Sequence, residues 1–149
     1  GWRNGGGVMA DQGEVAALQQ ALAGVHAACW GYGVLGPKLG DDEARGTATY
    51  TMYRSLRNQL IGLLQARSAD PVAAQPAYAL PFQVTGSQTA RRLAVHLEDG
   101  CAAAFADLVA GATGSDIRML GARLLQQCAQ RRLSWGAGPV AFPGMPEKR

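Results

Sequence analysis

The segment between residues 71 and 86 most strongly limits how this chain can fold. Its sequence, PVAAQPAYALPFQVTG, has three prolines, no charged side chain and no helical period. A connection that is both long and apolar is uncommon in a compact domain unless it packs against the rest of the protein. We therefore expect it to run along the surface, held there by Tyr78, Leu80 and Phe82.

Helical segments flank this connection on both sides. Apolar residues recur at intervals of three and four, which is the spacing of one helix face. Asp11 and Glu14 in DQGE read as a capping box at the start of the first helix. The predicted helices cover about residues 12–36, 42–69, 87–111 and 115–135. Their apolar seams are Leu18, Leu22, Val25 and Tyr32, then Tyr53, Leu56, Leu60 and Leu63, then Leu93, Leu97, Ala104 and Leu108, and finally Ile117, Leu120, Leu124 and Cys128.

The lengths of the connections favour one topology. Short links make helices 1 and 2 antiparallel, and likewise helices 3 and 4. The link 70–86 spans about 50 Å when extended, whereas a 25-residue helix is only about 38 Å long. It can therefore cross the whole bundle, which predicts an all-α, ferritin-like four-helix bundle with a long crossover between helices 2 and 3. The alternative is a plain up-down-up-down bundle with a loose loop.

Four short motifs carry a family resemblance. They are GYGVLG at the end of helix 1, PAYALPF in the crossover, LED in helix 3 and AFPGMPE near the C-terminus. Together they resemble a family of bacterial ferritin-like domains of unknown function, over roughly residues 12–147. The resemblance implies a four-helix ferritin-like fold and brings no established activity with it.

Composition limits the class of protein. Apolar residues make up 48% of the chain and charged residues 17%, with a net charge of +3, which is typical of a folded domain. The three scattered cysteines fit a reducing cytoplasm better than a disulfide framework. We expect neither nucleic-acid binding nor a membrane span. Residues 1–10 are expected to form a flexible leader, and the Pro/Gly-rich tail 136–149 to pack on the bundle through Val140 and Phe142.

The chain lacks the ligands of a ferritin-like di-iron centre. Such a centre takes a Glu from each of two helices and Glu-x-x-His from each of the other two. No Glu-x-x-His occurs, and segments 44–69 and 117–146 contain no acidic residue. The sequence therefore predicts no cofactor. His96 and Asp99 are the remaining candidate metal ligands, since their spacing puts them on one helix face. The alternative for them is a hydrogen-bonded pair at the bundle edge.

Three residues are candidates for an interior binding site. His26 lies on the apolar side of helix 1, and Glu98 lies within helix 3, so the two can meet across the bundle. Tyr53, in the seam of helix 2, would supply a third polar anchor. The alternative for His26 is a boundary histidine with one satisfied nitrogen.

Three functional hypotheses remain. The first is a non-enzymatic bundle without a di-iron centre that serves in protein association as a homodimer, using apolar residues such as Ile61, Leu125 and Leu133. The second is a bundle that binds a small apolar ligand through His26, Tyr53 and Glu98. The third is a metal-dependent oxidoreductase with an atypical site between subunits.

Overall fold

The computed structural model describes residues 5–138 of the 149-residue chain, with side chains from residue 11 onward. Within this part all regular secondary structure is helical, and there is no strand. The four long helices are α1 (Gly5–Leu35), α2 (Glu43–Ala66), α3 (Ser87–Gly111) and α4 (Ser115–Ser134). Two short 3-10 turns, Gly36–Lys38 and Gly40–Asp42, join α1 to α2. Most of the predicted tail, residues 139–149, and residues 1–4 of the predicted leader lie outside the described residues.

Helix α1 begins earlier than the capping motif predicts. It starts at Gly5, so residues 5–10, which we expected to form part of a flexible leader, are helical. Glu14 therefore lies well inside α1 and not in its first turn, and its carboxylate bonds other segments. It accepts hydrogen bonds from the Thr113 N–H at 2.7 Å and the Thr113 hydroxyl at 2.9 Å. It also accepts one from Arg67 Nε at 3.0 Å. Glu14 thus joins the first half of α1 to the end of α2 and to the α3–α4 turn.

Side-chain pairs define the direction of each helix. Asp42 and Arg91, before α2 and near the start of α3, are 3.6 Å apart. Further along the same two helices, Tyr53 bonds Glu98. Helices α2 and α3 therefore run in the same direction. The link 67–86 must return along the whole of α2, which is about 36 Å long.

The link is fastened to α1 by side chains that bind its backbone. Gln19 donates to the Asp70 carbonyl at 2.7 Å and accepts from the Val72 N–H at 2.8 Å. His26 Nε2 lies 2.9 Å from the Val72 carbonyl oxygen. The ring of Tyr78 packs against Trp30 with centroids 5.8 Å apart. Because these contacts satisfy backbone polar groups that have no helical partner, the link is held as an ordered strap.

Of the other two residues predicted to hold the strap, Phe82 makes a contact and Leu80 stays exposed. Phe82 lies beneath the Arg92 guanidinium, 4.5 Å from ring centroid to Cζ. Leu80, by contrast, stays 38% exposed.

The core lies between the helices, and three aromatic side chains of the described residues are fully buried in it, Tyr32, Tyr53 and Phe105. The predicted seams of α1, α2 and α4 supply most of its aliphatic residues. In α3 the buried positions differ from the predicted seam: Leu97 and Ala104 are half-buried, and Glu98, Cys101 and Phe105 are buried. In the described part of the chain, no helix combines the length and hydropathy that crossing a bilayer requires.

Candidate functional site

One side chain from each helix meets at a single point in the core. Tyr32 comes from α1, Tyr53 from α2, Glu98 from α3 and Arg131 from α4, and we call these four residues the Glu98 cluster. Glu98 is completely buried. A buried carboxylate is costly unless it is paired and hydrogen-bonded, so its partners decide what this site can do.

Three donors occupy the two oxygens of Glu98. The Tyr32 hydroxyl donates to Oε2 at 2.5 Å. The Tyr53 hydroxyl donates to Oε1 at 2.7 Å, and Arg131 Nε donates to the same oxygen at 2.9 Å. The last contact is an ion pair between a fully buried carboxylate and a guanidinium that is 18% exposed. The carboxylate is therefore matched in both charge and hydrogen bonding.

Arg131 also links the cluster to a buried thiol. Its Nη2 lies 3.1 Å from the Tyr53 hydroxyl oxygen and 3.6 Å from Cys128 Sγ. Its Cζ lies 5.1 Å from the centroid of the Tyr53 ring. The rings of Tyr32 and Tyr53 stack with centroids 5.7 Å apart. The guanidinium is thus fixed by a carboxylate, a hydroxyl and an aromatic face.

Helical spacing explains why these residues converge. In α3, Glu98 continues the buried series Ala94, Cys101, Phe105 and Leu108, at intervals of four, three, four and three. In α4, Arg131 follows Leu124 and Cys128 and precedes the buried Trp135 at the same kind of interval. Both charged residues therefore occupy seam positions, where an apolar residue would be expected.

Burial and charge shift the protonation of the cluster. Burial, followed by the neighbouring Glu98 carboxylate, raises the pKa of the Tyr32 hydroxyl. Burial also raises the pKa of the Tyr53 hydroxyl. For Arg131, burial favours the neutral form, but Tyr53 and Glu98 outweigh it and raise the pKa of the guanidinium. Both tyrosines therefore remain hydrogen-bond donors, and Arg131 remains a cation.

The two buried thiols beside the cluster are suppressed as nucleophiles. Burial and the nearby Glu98 carboxylate raise the pKa of the Cys128 thiol to about 12. Burial raises the pKa of Cys101 well above its ordinary value. Because the thiolate is the reactive form, neither thiol is set up for covalent chemistry.

The predicted site residues only partly come together. Tyr53 and Glu98 are directly bonded, but His26 faces the strap and bonds the Val72 carbonyl. Among the described residues, no hydrogen bond joins His26 to Glu98. Sequence reasoning placed Tyr32 only in the apolar seam of helix 1 and did not single out Arg131. The signal for Arg131 was its seam interval from Leu124 and Cys128.

The candidate metal ligands His96 and Asp99 line one exposed groove together with Arg91 and Arg92. Asp99 pairs there with Arg132, with Nε 2.6 Å from Oδ1. Across residues 5–138, no three His, Cys, Asp or Glu side chains are grouped closely enough to hold a metal ion.

The side chains at the centre of the bundle do not fit a pair of iron ions. It offers one carboxylate, already bound by three donors, and the Arg131 guanidinium occupies the position beside it. A positive side chain there repels cations, and hard metal ions need several oxygen ligands. No metal chemistry follows from this set of residues.

A shallow apolar groove runs between α3 and α4 on the outside of the bundle. It has a volume of about 420 Å³. Glu98 and Cys128 contribute to its floor, and small or branched apolar residues form most of its walls. The walls include Ala102, Val109, Ala122, Leu125 and Ala129. The groove therefore reaches the Glu98 cluster from the outside of the bundle.

Comparison with known proteins gives relatives but no activity. The family model described as a domain of unknown function (DUF4439) matches residues 17–147. The crystal structure of a conserved hypothetical protein, rv2844, from Mycobacterium tuberculosis is similar, with a TM-score of 0.80 and 30% sequence identity. The match covers 83% of this chain and 95% of that one. No curated protein matches the chain.

Proposed function

The chain belongs to the family of domains of unknown function DUF4439, and from that starting point we propose that it is a non-enzymatic, ferritin-like bundle without a di-iron centre. Its role in this proposal is protein association, as a homodimer. The parallel arrangement of α2 and α3, with a long crossover between them, supports the ferritin-like topology.

One observation carries the non-enzymatic part of the proposal. All four helices direct polar side chains to the centre of the bundle, and these side chains satisfy one another. Glu98 takes hydrogen bonds from Tyr32, Tyr53 and Arg131. A catalytic centre keeps a coordination position or a reactive group available for substrate, whereas this cluster uses its carboxylate to bind its own helices together.

The association part rests on apolar surface. Met119 is 71% exposed and Leu133 is 51% exposed, and both are on α4. Large apolar side chains that are exposed together on one face commonly mark an interaction surface. The groove between α3 and α4 lies on the same side of the bundle.

Metal analysis and sedimentation test the two halves separately. We expect natively purified protein, and protein incubated with ferrous iron and then desalted, to hold no stoichiometric iron, manganese or zinc. We expect sedimentation equilibrium to give the mass of a dimer. One bound metal ion per chain would overturn the first half of the proposal, and a monomer at every protein concentration would overturn the second.

The alternative function is the binding of a small apolar ligand. The groove between α3 and α4 favours it, because its apolar walls lead to Glu98. Native mass spectrometry distinguishes the alternatives, since a retained ligand adds a defined mass to the chain. The third hypothesis, a metal-dependent oxidoreductase, has no supporting donor set among the described residues.

The compartment is also a proposal. The three cysteines carry no disulfide, which supports our expectation that the protein works in the reducing cytoplasm.

A further inference from the structure

Helix α4 carries a second seam on the side that faces away from its own bundle. Its members are spaced three, four, three and four residues apart, and every one of them is exposed. These residues are Met119, Ala122, Gln126, Ala129 and Leu133. Such spacing defines one continuous face of a helix. Because α4 already buries its other side in the core, the outer seam is left exposed by the part of the chain that the structure describes.

The outer seam is nearly symmetrical about Gln126. Met119 and Leu133 are the large apolar residues at its two ends, and Ala122 and Ala129 lie between them on either side of Gln126. The seam therefore presents the same order of side chains when it is reversed, so it can lie against a copy of itself in antiparallel orientation. An interface with two-fold symmetry requires this, since each patch meets the same patch on the other subunit.

Charge favours a second copy over a charged partner on this face. Residues 98–134 contain acids and arginines in equal number. They are Glu98, Asp99, Asp107 and Asp116 against Arg118, Arg123, Arg131 and Arg132. The chain as a whole carries +3, so its excess positive charge lies elsewhere, for example at Arg54 and Arg57 on α2. Two neutral faces approach each other without net repulsion.

We propose that two copies of this chain pack through their α4 helices in antiparallel orientation, with the two-fold axis at Gln126. This inference rests on the proposed homodimer and specifies its interface. Met119 and Leu133 are each seven residues from Gln126, so Met119 of one copy meets Leu133 of the other. The alanines allow the helices to approach closely, and the two Gln126 amides face each other at the axis, where amide groups can bond reciprocally.

The size of the face is sufficient for a specific dimer. A helix of the length of α4 is about 30 Å long, and two adjacent helices are about 20 Å wide. The α3–α4 face therefore presents roughly 600 Å² per copy, so two copies that also pack the neighbouring parts of α3 bury up to roughly 1,200 Å². Specific interfaces begin near this value.

Disulfide cross-linking tests the orientation directly. In a Cys29→Ser background, which removes the half-buried thiol, Gln126→Cys should give a covalent dimer under mild oxidation. Met119→Cys alone and Leu133→Cys alone should not, because in an antiparallel pair each lies about 21 Å from its own counterpart. The Met119→Cys/Leu133→Cys double variant should cross-link. Ser55→Cys, exposed on α2, is the matched control and should stay monomeric on a denaturing gel.

Charge variants give an independent measurement. Met119→Lys/Leu133→Lys should raise the dissociation constant of the dimer at least about tenfold in sedimentation equilibrium, because both side chains are placed in the interface. Leu80→Lys, an exposed apolar residue on the strap, should leave the dissociation constant unchanged.

The outcomes separate this inference from the homodimer itself. A dimer that sediments as such, yet shows no Gln126→Cys cross-link, would overturn the α4 interface and leave the homodimer intact. Cross-linking of the Met119→Cys and Leu133→Cys single variants would show a parallel pair and overturn the antiparallel orientation. A monomer at every concentration would overturn both proposals.

Discussion

Glu98 of α3 and Arg131 of α4 form an ion pair at the point where all four helices meet. Arg131 Nε lies 2.9 Å from Glu98 Oε1, and the Glu98 side chain has no solvent exposure. The two tyrosine hydroxyls complete the coordination of the carboxylate. The chain thus places a fixed cation where a metal-binding bundle would need further oxygen ligands, and it uses the pair to fix the relative positions of its helices.

Removal of Arg131 should destabilise the protein strongly. Arg131→Met leaves the Glu98 carboxylate buried without its cation, which costs about 3–5 kcal/mol of unfolding free energy. Urea denaturation followed by circular dichroism measures this loss.

The Glu98→Gln/Arg131→Met double variant is the control for this prediction. It should be more stable than Arg131→Met, because the buried charge is gone while the amide oxygen still accepts from one tyrosine and the amide N–H can donate to the hydroxyl of the other. A double variant that loses the sum of the two single effects would show that the ion pair does not couple α3 to α4.

Removal of the Tyr53 hydroxyl should also destabilise the fold, by about 1.5–3 kcal/mol, which is typical of a hydrogen bond to a charged group. In Tyr53→Phe, Glu98 and Arg131 each lose one hydrogen-bond partner. Tyr78→Phe is the matched control, since that hydroxyl accepts only from the Gln75 N–H on the strap. Thermal unfolding should rank Tyr53→Phe well below Tyr78→Phe, and equal melting temperatures would contradict the role of the cluster.

Thiol labelling should distinguish the three cysteines. Cys101 and Cys128 are buried, and burial raises the pKa of both thiols. Cys29 is half-buried. We therefore expect a thiol-reactive chromophore to modify Cys29 in the native protein and all three thiols only after denaturation. Cys29→Ser should abolish the native signal, and rapid native labelling of Cys128 would show that the α3–α4 groove opens.

Low pH should weaken the hydrogen bonds and the ion pair that Glu14 makes with Thr113 and Arg67. Burial acts to raise the pKa of Glu14, but hydrogen bonds from Thr113 and Arg67 outweigh it, so the folded-state pKa lies below the ordinary 4.5. A carboxyl group whose pKa is lowered by folding stabilises the protein fully above its unfolded pKa, and this contribution is lost as pH falls through the folded pKa. Glu14→Gln should be less stable than the parent protein at neutral pH.

The pH dependence checks the cause of that effect. The difference in unfolding free energy between Glu14→Gln and the parent should shrink as pH falls below about 4.5, because the parent carboxylate then becomes protonated. A difference that is independent of pH would mean that the loss comes from packing and not from the charge of Glu14.

Substitution of two helical glycines with alanine should change the stability of the protein in opposite directions. A Cβ on Gly121 would lie 3.0 Å from Val109 Cγ2 and 3.2 Å from the Val109 backbone nitrogen. Gly121→Ala should therefore push α4 away from α3 and cost about 1–3 kcal/mol. A Cβ on Gly62, in contrast, has no atom within 4 Å. Gly62→Ala should stabilise α2 by up to about 1 kcal/mol, and chemical denaturation of the pair checks both signs.

The sequence by itself determined the helical architecture. Apolar residues at intervals of three and four predicted four helices, and the structure has them at Gly5–Leu35, Glu43–Ala66, Ser87–Gly111 and Ser115–Ser134. Prolines and the absence of charge predicted the strap. These features are local, because helix periodicity and proline geometry depend on neighbours along the chain.

Only the tertiary structure decided which polar residues belong to the core. The sequence paired Glu98 with His26 and did not single out Arg131, because the cost of burying each charge is removed only by the other, which lies on a different helix. His26 could not be assigned to the Val72 carbonyl, and Glu14 could not be assigned to Thr113 and Arg67, because these partners also lie far away along the chain. A local motif predicts where a helix forms, but the partner of a buried polar group depends on how distant segments pack.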